Sequence, residues 1–170
     1  RRSSDLNNAG FGNYDSVDHQ NLDKITKMLH LNIESLTILS SLYVKDYKNV
    51  EGTQLINLSS RGGYMLVKNA VTYCASKFYV SAFTEGLALE LAANHCPLKA
   101  KVLAPAATKS EFGQVAADTD SYDYDKYFTT YHTSKEMADF LIELYYSDKI
   151  VGLVDINDFD FKLSEPLFKH

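Results

Sequence analysis

Leu55-Ile56-Asn57-Leu58-Ser59-Ser60, followed by Tyr73-Cys74-Ala75-Ser76-Lys77, decides how this chain is read. The first run is apolar, and with Thr53 it reads as a buried strand over residues 53–59. The second opens a helix over residues 70–94, with Val80, Phe83, Leu87 and Leu91 on its apolar face. Tyr73 and Lys77 are four residues apart, so on a helix they share a face. A phenol ordinarily titrates at about 10. An adjacent ammonium favours the phenolate and brings the group toward use as a general acid or base. Ser60, thirteen residues before Tyr73, closes the strand and can hydrogen-bond the same substrate oxygen. A hydroxyl donor, a tunable phenol and a fixed cation around one oxygen suit carbonyl reduction and alcohol oxidation. The bland alternative for Tyr-x-x-x-Lys alone is an exposed helix pair.

Working outward, residues 5–8 read as a strand end and Gly10-Phe11-Gly12-Asn13 as a loop. Asn21 is placed to cap a long helix whose stripe is Leu22, Ile25, Leu29, Ile33, Leu36 and Leu39. Asn32 interrupts that helix's apolar character and needs hydrogen-bond partners, either as a satisfied core amide or as the holder of a water beside Lys77. Cys96-Pro97 marks the end of the second helix, because the residue before proline avoids the helical region. Residues 99–104 form the next strand, closed by Pro105. Ligands of open α/β sheets sit beyond the carboxyl ends of the strands, which groups Asn8, Ser60 and Pro105 at one edge.

Beyond Pro105, Thr108 and Ser110 offer hydroxyls and free backbone N–H groups to a bound ligand. Residues 118–132 are acidic and rich in tyrosine. They read either as a cover closing on a hydrophobic substrate or as a surface segment anchored by Tyr127, Phe128 and Tyr131. Ser134 is placed to cap a helix burying Met137, Phe140, Leu141 and Leu144, with Glu136 in its first turn. A short strand over 150–154 and an alternating edge strand over 159–163 follow.

The 170 residues are 45% hydrophobic, enough for a core in one domain. A net charge of −5 leaves no basic footprint for nucleic acid. No apolar run approaches the ~18 residues that span a bilayer, and no basic segment leads into an apolar one. A cytoplasmic protein with no membrane partner is therefore expected. Two cysteines make no disulfide framework, and Cys74 reads as a small buried hydrophobe. The five histidines, His19, His30, His95, His132 and His170, lack metal-ligand spacing, so no metal is expected.

In order and spacing, four segments resemble the short-chain dehydrogenase/reductase family: Asn7-Asn8-Ala9-Gly10, Leu31-Asn32-Ile33, the 55–60 run, and Pro105-Ala106-Ala107-Thr108-Lys109-Ser110-Glu111-Phe112. The resemblance covers residues 5–112 and continues more weakly to the end. It implies a Rossmann-like doubly wound parallel sheet, the C-terminal portion of a three-layer αβα sandwich. That sandwich would form a single NAD(P)-binding domain over residues 1–170. It implies a tetrad of Asn32, Ser60, Tyr73 and Lys77, with NAD or NADP as cofactor and a small carbonyl or alcohol as substrate. Asn8, Ala9 and Gly10 would line the adenosine side of the cofactor cleft. Pro105, Ala106, Thr108 and Ser110 would line its nicotinamide side, and Lys77 would also bind the nicotinamide ribose. Packing of the two long helices across a two-fold axis implies a homodimer or homotetramer.

Two departures stand out. Ala106 replaces the family's glycine, so a positive φ there would be strained. The Gly-rich turn that opens the family, T-G-x-x-x-G-x-G, does not occur, and Gly62-Gly63 follows the Ser60 strand instead. With about 30 residues per βαβ unit and strands shared between units, roughly 80 residues are expected ahead of Arg1. Residues 1–6 read as a stub joined from separated pieces. The alternative function is a non-catalytic dinucleotide-fold sensor or scaffold.

Overall fold

In the computed structural model, which describes residues 4–169, the strands are β1 (Ser4–Asn7), β2 (Gln54–Leu58), β3 (Lys99–Ala104), β4 (Thr108–Lys109), β5 (His132–Thr133), β6 (Val151–Val154) and β7 (Phe161–Ser164). The helices are α1 (Leu22–Leu29), α2 (Leu36–Tyr47), α3 (Val71–Ala93), α4 (Phe112–Ala117), α5 (Tyr124–Tyr127) and α6 (Ser134–Tyr146). The main sheet runs β1-β2-β3-β6-β7. Its first four strands are parallel, and β7 closes one edge antiparallel to β6. Helices carry the chain over between the parallel strands, as parallel pairing requires. Residues 4–6 of the supposed stub pair in register with β2, Ser4 opposite Gln54; the rest of that stub, residues 1–3, and His170 lie outside the described residues.

Two neighbouring residues show the layers. Leu55 packs with Leu98, Ala100, Ala88 and Leu91, against α3, while Ile56 packs with Leu103, Met137 and Leu144, against α6. Successive strand residues point to opposite faces, so β2 is sandwiched between helices. Asn57 and Lys101, polar residues buried in this core, are paired. Asn57 Oδ1 accepts from Asn7 Nδ2 at 2.9 Å, and its Nδ2 donates to Thr84 Oγ1 at 2.9 Å. Lys101, buried in β3, donates to the carbonyls of Leu144, Tyr145 and Ser147 at 2.9, 3.0 and 2.6 Å. These carbonyls lie at and just beyond the C-terminal end of α6, where the helix itself leaves acceptors to be met from outside.

The first long helix begins where expected, with Asn21 Oδ1 accepting from Lys24 N at 3.1 Å. It is not uniform: α1 passes through a π-helical turn, His30–Ser35, into α2. That wider turn keeps Met28, Asn32, Leu36 and Ser40 on the buried side at four-residue steps, while Leu22 and Leu39 of the expected stripe are exposed. The second long helix stops at Ala93, before Cys96-Pro97, because His95 turns left-handed at φ 55°. The cap of α6 is Thr133 rather than Ser134. Thr133 Oγ1 accepts from Glu136 N, and the Glu136 carboxylate accepts from Thr133 N in a reciprocal capping box. Among the described residues no helix is long and apolar enough to cross a membrane.

Candidate functional site

β1, β2 and β3 end at one edge, and the chain leaving each end builds the site. After β2, Ser60 stays extended and caps a 3-10 turn, Arg61–Gly63, by accepting from Gly62 N at 3.0 Å. A Cβ on Gly62 would lie 3.5 Å from Ser60 Oγ and 3.6 Å from Tyr73 Cε1, so the serine hydroxyl and the tyrosine ring meet over that glycine. Gly63 brings the turn down onto α3, where a Cβ would lie 2.6 Å from the Lys77 carbonyl oxygen. Tyr73 and Lys77 sit in the first two turns of α3, and both side chains are buried.

The spacing predicts a phenol eased toward ionisation by Lys77; the structure shows the opposite balance. Burial pushes the Tyr73 phenol up to about 12, and only a hydrogen bond with the Ser60 hydroxyl pulls the other way. Lys77 Nζ lies 6.0 Å from the centre of the Tyr73 ring and donates to the Leu58 carbonyl at 2.9 Å. Burial brings the Lys77 ammonium down to about 8. Tyr73 is further covered by Tyr14, edge-on with centroids 6.5 Å apart, and by Phe112 at 5.5 Å.

Asn32 sits in the π-helical turn. Its Oδ1 accepts from Phe11 N at 3.2 Å, and its Nδ2 donates to Phe11 O at 2.9 Å and to Ser76 Oγ at 3.1 Å. The amide is thus committed to holding the loop after β1 against α3. Asn8 and Ala9 are exposed beyond the end of β1. Gly10 brings its backbone close to both functional helices: a Cβ there would lie 3.0 Å from Asn32 Oδ1 and 3.4 Å from Lys77 Nζ.

On the β3 side, Pro105 O accepts from Arg61 N at 2.7 Å, which ties this turn to the one after Ser60. Ala106 has no positive φ, so the strain expected of a glycine replacement does not arise. Thr108 Oγ1 donates to Ala106 O at 3.0 Å, and Ser110 Oγ, donating to Thr108 O at 3.3 Å, also accepts from Phe112 N at 3.3 Å. The β4–β5 pairing, Thr108 opposite His132, closes residues 110–131, which include most of the tyrosine-rich segment, into one excursion. That segment's buried anchor is Tyr124, whose hydroxyl donates to Ser110 O at 3.2 Å and accepts from Gly113 N at 3.2 Å. Tyr127 is exposed instead.

The structure brings Ser60, Tyr73, Lys77, Asn32 and Gly10 to one place, and sequence reasoning missed Tyr14 and Phe112, whose rings meet Tyr73. No spacing signal marks these two residues. They reach the site only because the loop after β1 and the segment after β3 fold over the same strand edge.

The sequence profile of the family described as short chain dehydrogenase matches residues 6–121. The chain is 28% identical over 134 residues to human dehydrogenase/reductase SDR family member 11, covering 76% of this chain and 50% of that protein. It is 26% identical over 115 residues to an uncharacterized oxidoreductase of Staphylococcus saprophyticus, covering 68% and 47%. A solved short-chain dehydrogenase from Sphingobium yanoikuyae in complex with NADPH has a TM-score of 0.78 at 21% identity, over 91% of this chain and 57% of that one. The bulky-bulky ketone specific alcohol dehydrogenase from Comamonas testosteroni gives a TM-score of 0.71 at 21% identity, over 88% and 53%. This chain spans about half the length of the curated relatives it matches.

Proposed function

The chain belongs to the short-chain dehydrogenase/reductase family, and from that membership we propose that the protein carrying it is an NAD(P)-dependent oxidoreductase interconverting a carbonyl and a secondary alcohol. The observation that carries this reading is the meeting of Ser60, Tyr73 and Lys77 at the carboxyl edge of a parallel sheet. In reduction, Tyr73 gives its proton to the substrate oxygen, and in oxidation it takes the proton back. A phenol held at about 12 keeps its proton at neutral pH and suits the donor role. Ser60 hydrogen-bonds the same oxygen and stabilises the charge that develops there. Asn32 acts by fixing Phe11 and Ser76, which sets the distance between the β1 loop and Lys77.

The residues fit a dinucleotide. Gly10 leaves a surface without side chain beside Lys77 Nζ, and Asn8 and Ala9 extend it to solvent. The nicotinamide supplies or removes hydride when bound. Asn8, Ala9 and Gly10 would hold the adenosine side, Lys77 the nicotinamide ribose, and Pro105, Ala106, Thr108 and Ser110 the carboxamide end. Relatives of this fold bound to NADPH support this assignment.

The exposed Ile38, Leu39 and Leu42 on α2, beside Tyr79 on α3, support a homodimer formed through the two long helices. A monomer by light scattering at micromolar concentration would count against it. One observation favours a second reading, a dinucleotide-fold sensor without turnover: Tyr73 is covered by aromatic rings and Lys77 is engaged by Leu58. The two readings separate when the protein is mixed with NADPH and a panel of ketones. The oxidoreductase consumes reduced cofactor with at least one of them; cofactor binding with no consumption across the panel leaves the sensor.

A further inference from the structure

The space beside the Tyr73 phenol holds a phenyl ring. Phe112 stands there at 5.5 Å from the Tyr73 ring, and Tyr14 meets both rings edge-on at 6.5 and 6.4 Å. The floor under Phe112 is Gly12. A Cβ on Gly12 would lie 2.9 Å from Phe112 Cζ and 3.3 Å from Phe112 Cε1. Gly12 has no positive φ, so its backbone does not call for glycine. What calls for it is the flat ring lying against it. The site thus contains a slot one aromatic ring wide, floored by Gly12 and walled by Tyr14 and Tyr73.

All three boundaries of the slot belong to firmly built parts of the molecule. Tyr73 is on the 23-residue helix α3. Gly12 and Tyr14 follow the loop that Asn32 pins through Phe11. Phe112 is different. It is half-buried and opens α4, on the segment whose two ends meet at the β4–β5 pairing. Phe112 packs against the cluster of Ile25, Met28, Ala70, Tyr73 and Cys74, and its segment is tied down by Tyr14 N donating to Ala116 O at 3.0 Å and by Lys24 Nζ reaching Val115 O at 2.7 Å, Ala116 O at 3.4 Å and Asp118 at 2.9 Å. Withdrawing Phe112 therefore breaks no sheet pairing and neither long helix.

We propose that this slot takes a planar aromatic ring of the substrate, attached directly to the reacting carbonyl or carbinol carbon, and that Phe112 fills the same space in this structure. The proposal rests on Tyr73 being the proton donor, because that role places the substrate oxygen next to the slot. The chemistry of the walls then selects the substrate class. The edge-on contact from Tyr14 and the tilted contact from Tyr73 favour a flat ring with a negative face over a saturated ring of like size, and Gly12 admits a flat ring where a puckered one collides. An aryl ketone or a benzylic-type alcohol fits.

The test is a binding titration of the 170-residue chain and its variants with acetophenone, and with methyl cyclohexyl ketone as the saturated control, followed by NMR line shifts of the tyrosine rings. Phe112→Ala is expected to bind acetophenone roughly tenfold tighter than the parent, with a smaller gain for the saturated ketone. Adding Gly12→Ala in that background is expected to remove the gain. Phe112→Leu, which keeps apolar bulk at the position, is titrated alongside in case Phe112→Ala does not fold, and is expected to gain in the same direction. Equal affinities for parent and both Phe112 variants, a gain that survives Gly12→Ala, or an equal gain for the saturated ketone overturns the proposal. In the protein carrying this chain, acetophenone bound but never reduced with NADPH sinks the enzymatic reading and leaves the slot standing. Turnover of saturated ketones without any aromatic gain does the reverse.

Discussion

The ammonium of Lys77 lies 6.0 Å from the centre of the Tyr73 ring, yet its hydrogen bond goes to the Leu58 carbonyl at 2.9 Å. Burial is the main cause for both groups, the phenol up to about 12 and the ammonium down to about 8. A helical spacing of four residues brings the two side chains to one face but does not decide which acceptor the lysine chooses. A ribose hydroxyl beside Lys77 would compete with Leu58 for that ammonium. Titration of ring-labelled tyrosine, with Tyr73→Phe for assignment, should find Tyr73 near 12 in the chain alone and lower once NADPH is bound. Lys77→Met should abolish the lowering. A Tyr73 value unchanged by NADPH in the parent chain would show that Lys77 does not tune it.

The buried lysines also predict an unusual pH profile of stability. Lys77 and Lys101 both fall from 10.5 to about 8 on folding, each mainly by burial. Their unfolded forms bind more protons between those values, so their contribution is present above 10.5 and is lost as pH falls through 8. Tyr73 acts in the other direction: its folded value of about 12 exceeds 10, so its contribution is present below pH 10 and lost as pH rises through 12. Tyr14 and Tyr64 are also raised, Tyr64 through burial and its hydrogen bond to Glu85. Urea unfolding should therefore show stability rising from pH 8 toward 10 and falling above it. Lys101→Met should flatten the rise by about half. A maximum at neutral pH, or a rise unaffected by Lys101→Met, would contradict this.

Two glycines in or near α3 should respond in opposite ways to alanine. Gly86 lies inside the helix, with nothing within 4 Å of where a Cβ would stand, so Gly86→Ala should stabilise by about 1 kcal/mol through helix propensity. A Cβ on Gly63 would collide with Ser59 Oγ, and would lie 2.5 Å from Ser81 Oγ and 2.6 Å from the Lys77 backbone oxygen. Gly63→Ala should cost about 3 kcal/mol by overpacking. Thermal unfolding of the two variants checks both signs, and a neutral Gly63→Ala would mean that the turn after Ser60 is less tightly seated than described.

Glu85 holds the C-terminal segment to the turn that follows Ser60. Its carboxylate, 1% exposed, accepts from Tyr64 Oη at 2.5 Å, Leu167 N at 2.7 Å and Phe168 N at 3.0 Å. Phe168 stacks on Tyr64 at 5.5 Å. Glu85→Ala leaves three donors without their acceptor and should cost about 3 kcal/mol. Limited proteolysis should then cut the residues around Leu167 faster than in the parent. Equal cleavage and an unchanged Tm would remove Glu85 from this role.

Much of the fold was legible because its signals are local. The Asn21 cap and the strand Lys99–Ala104 both appear where their residue types place them. The π-helical turn was not legible. A stripe read at one period puts Leu22 and Leu39 inside, whereas the wider turn shifts the phase and buries Asn32 and Ser40 instead. In the site, Ser60, Tyr73 and Lys77 could be found because two elements, β2 and α3, fix their spacing. Tyr14 and Phe112 could not, since their approach depends on how two loops fold over the sheet edge. The Tyr73 pKa was misjudged for the same reason: burial by those loops outweighs a cation whose hydrogen bond lies elsewhere.

The central claim is that the Tyr73 hydroxyl exchanges a proton with the substrate oxygen, and turnover by Tyr73→Phe in the protein carrying this chain tests it most directly. With NADPH and a ketone that the parent reduces, the account predicts that kcat falls by about a thousandfold while cofactor affinity is kept. A variant that turns over within about tenfold of the parent would contradict it.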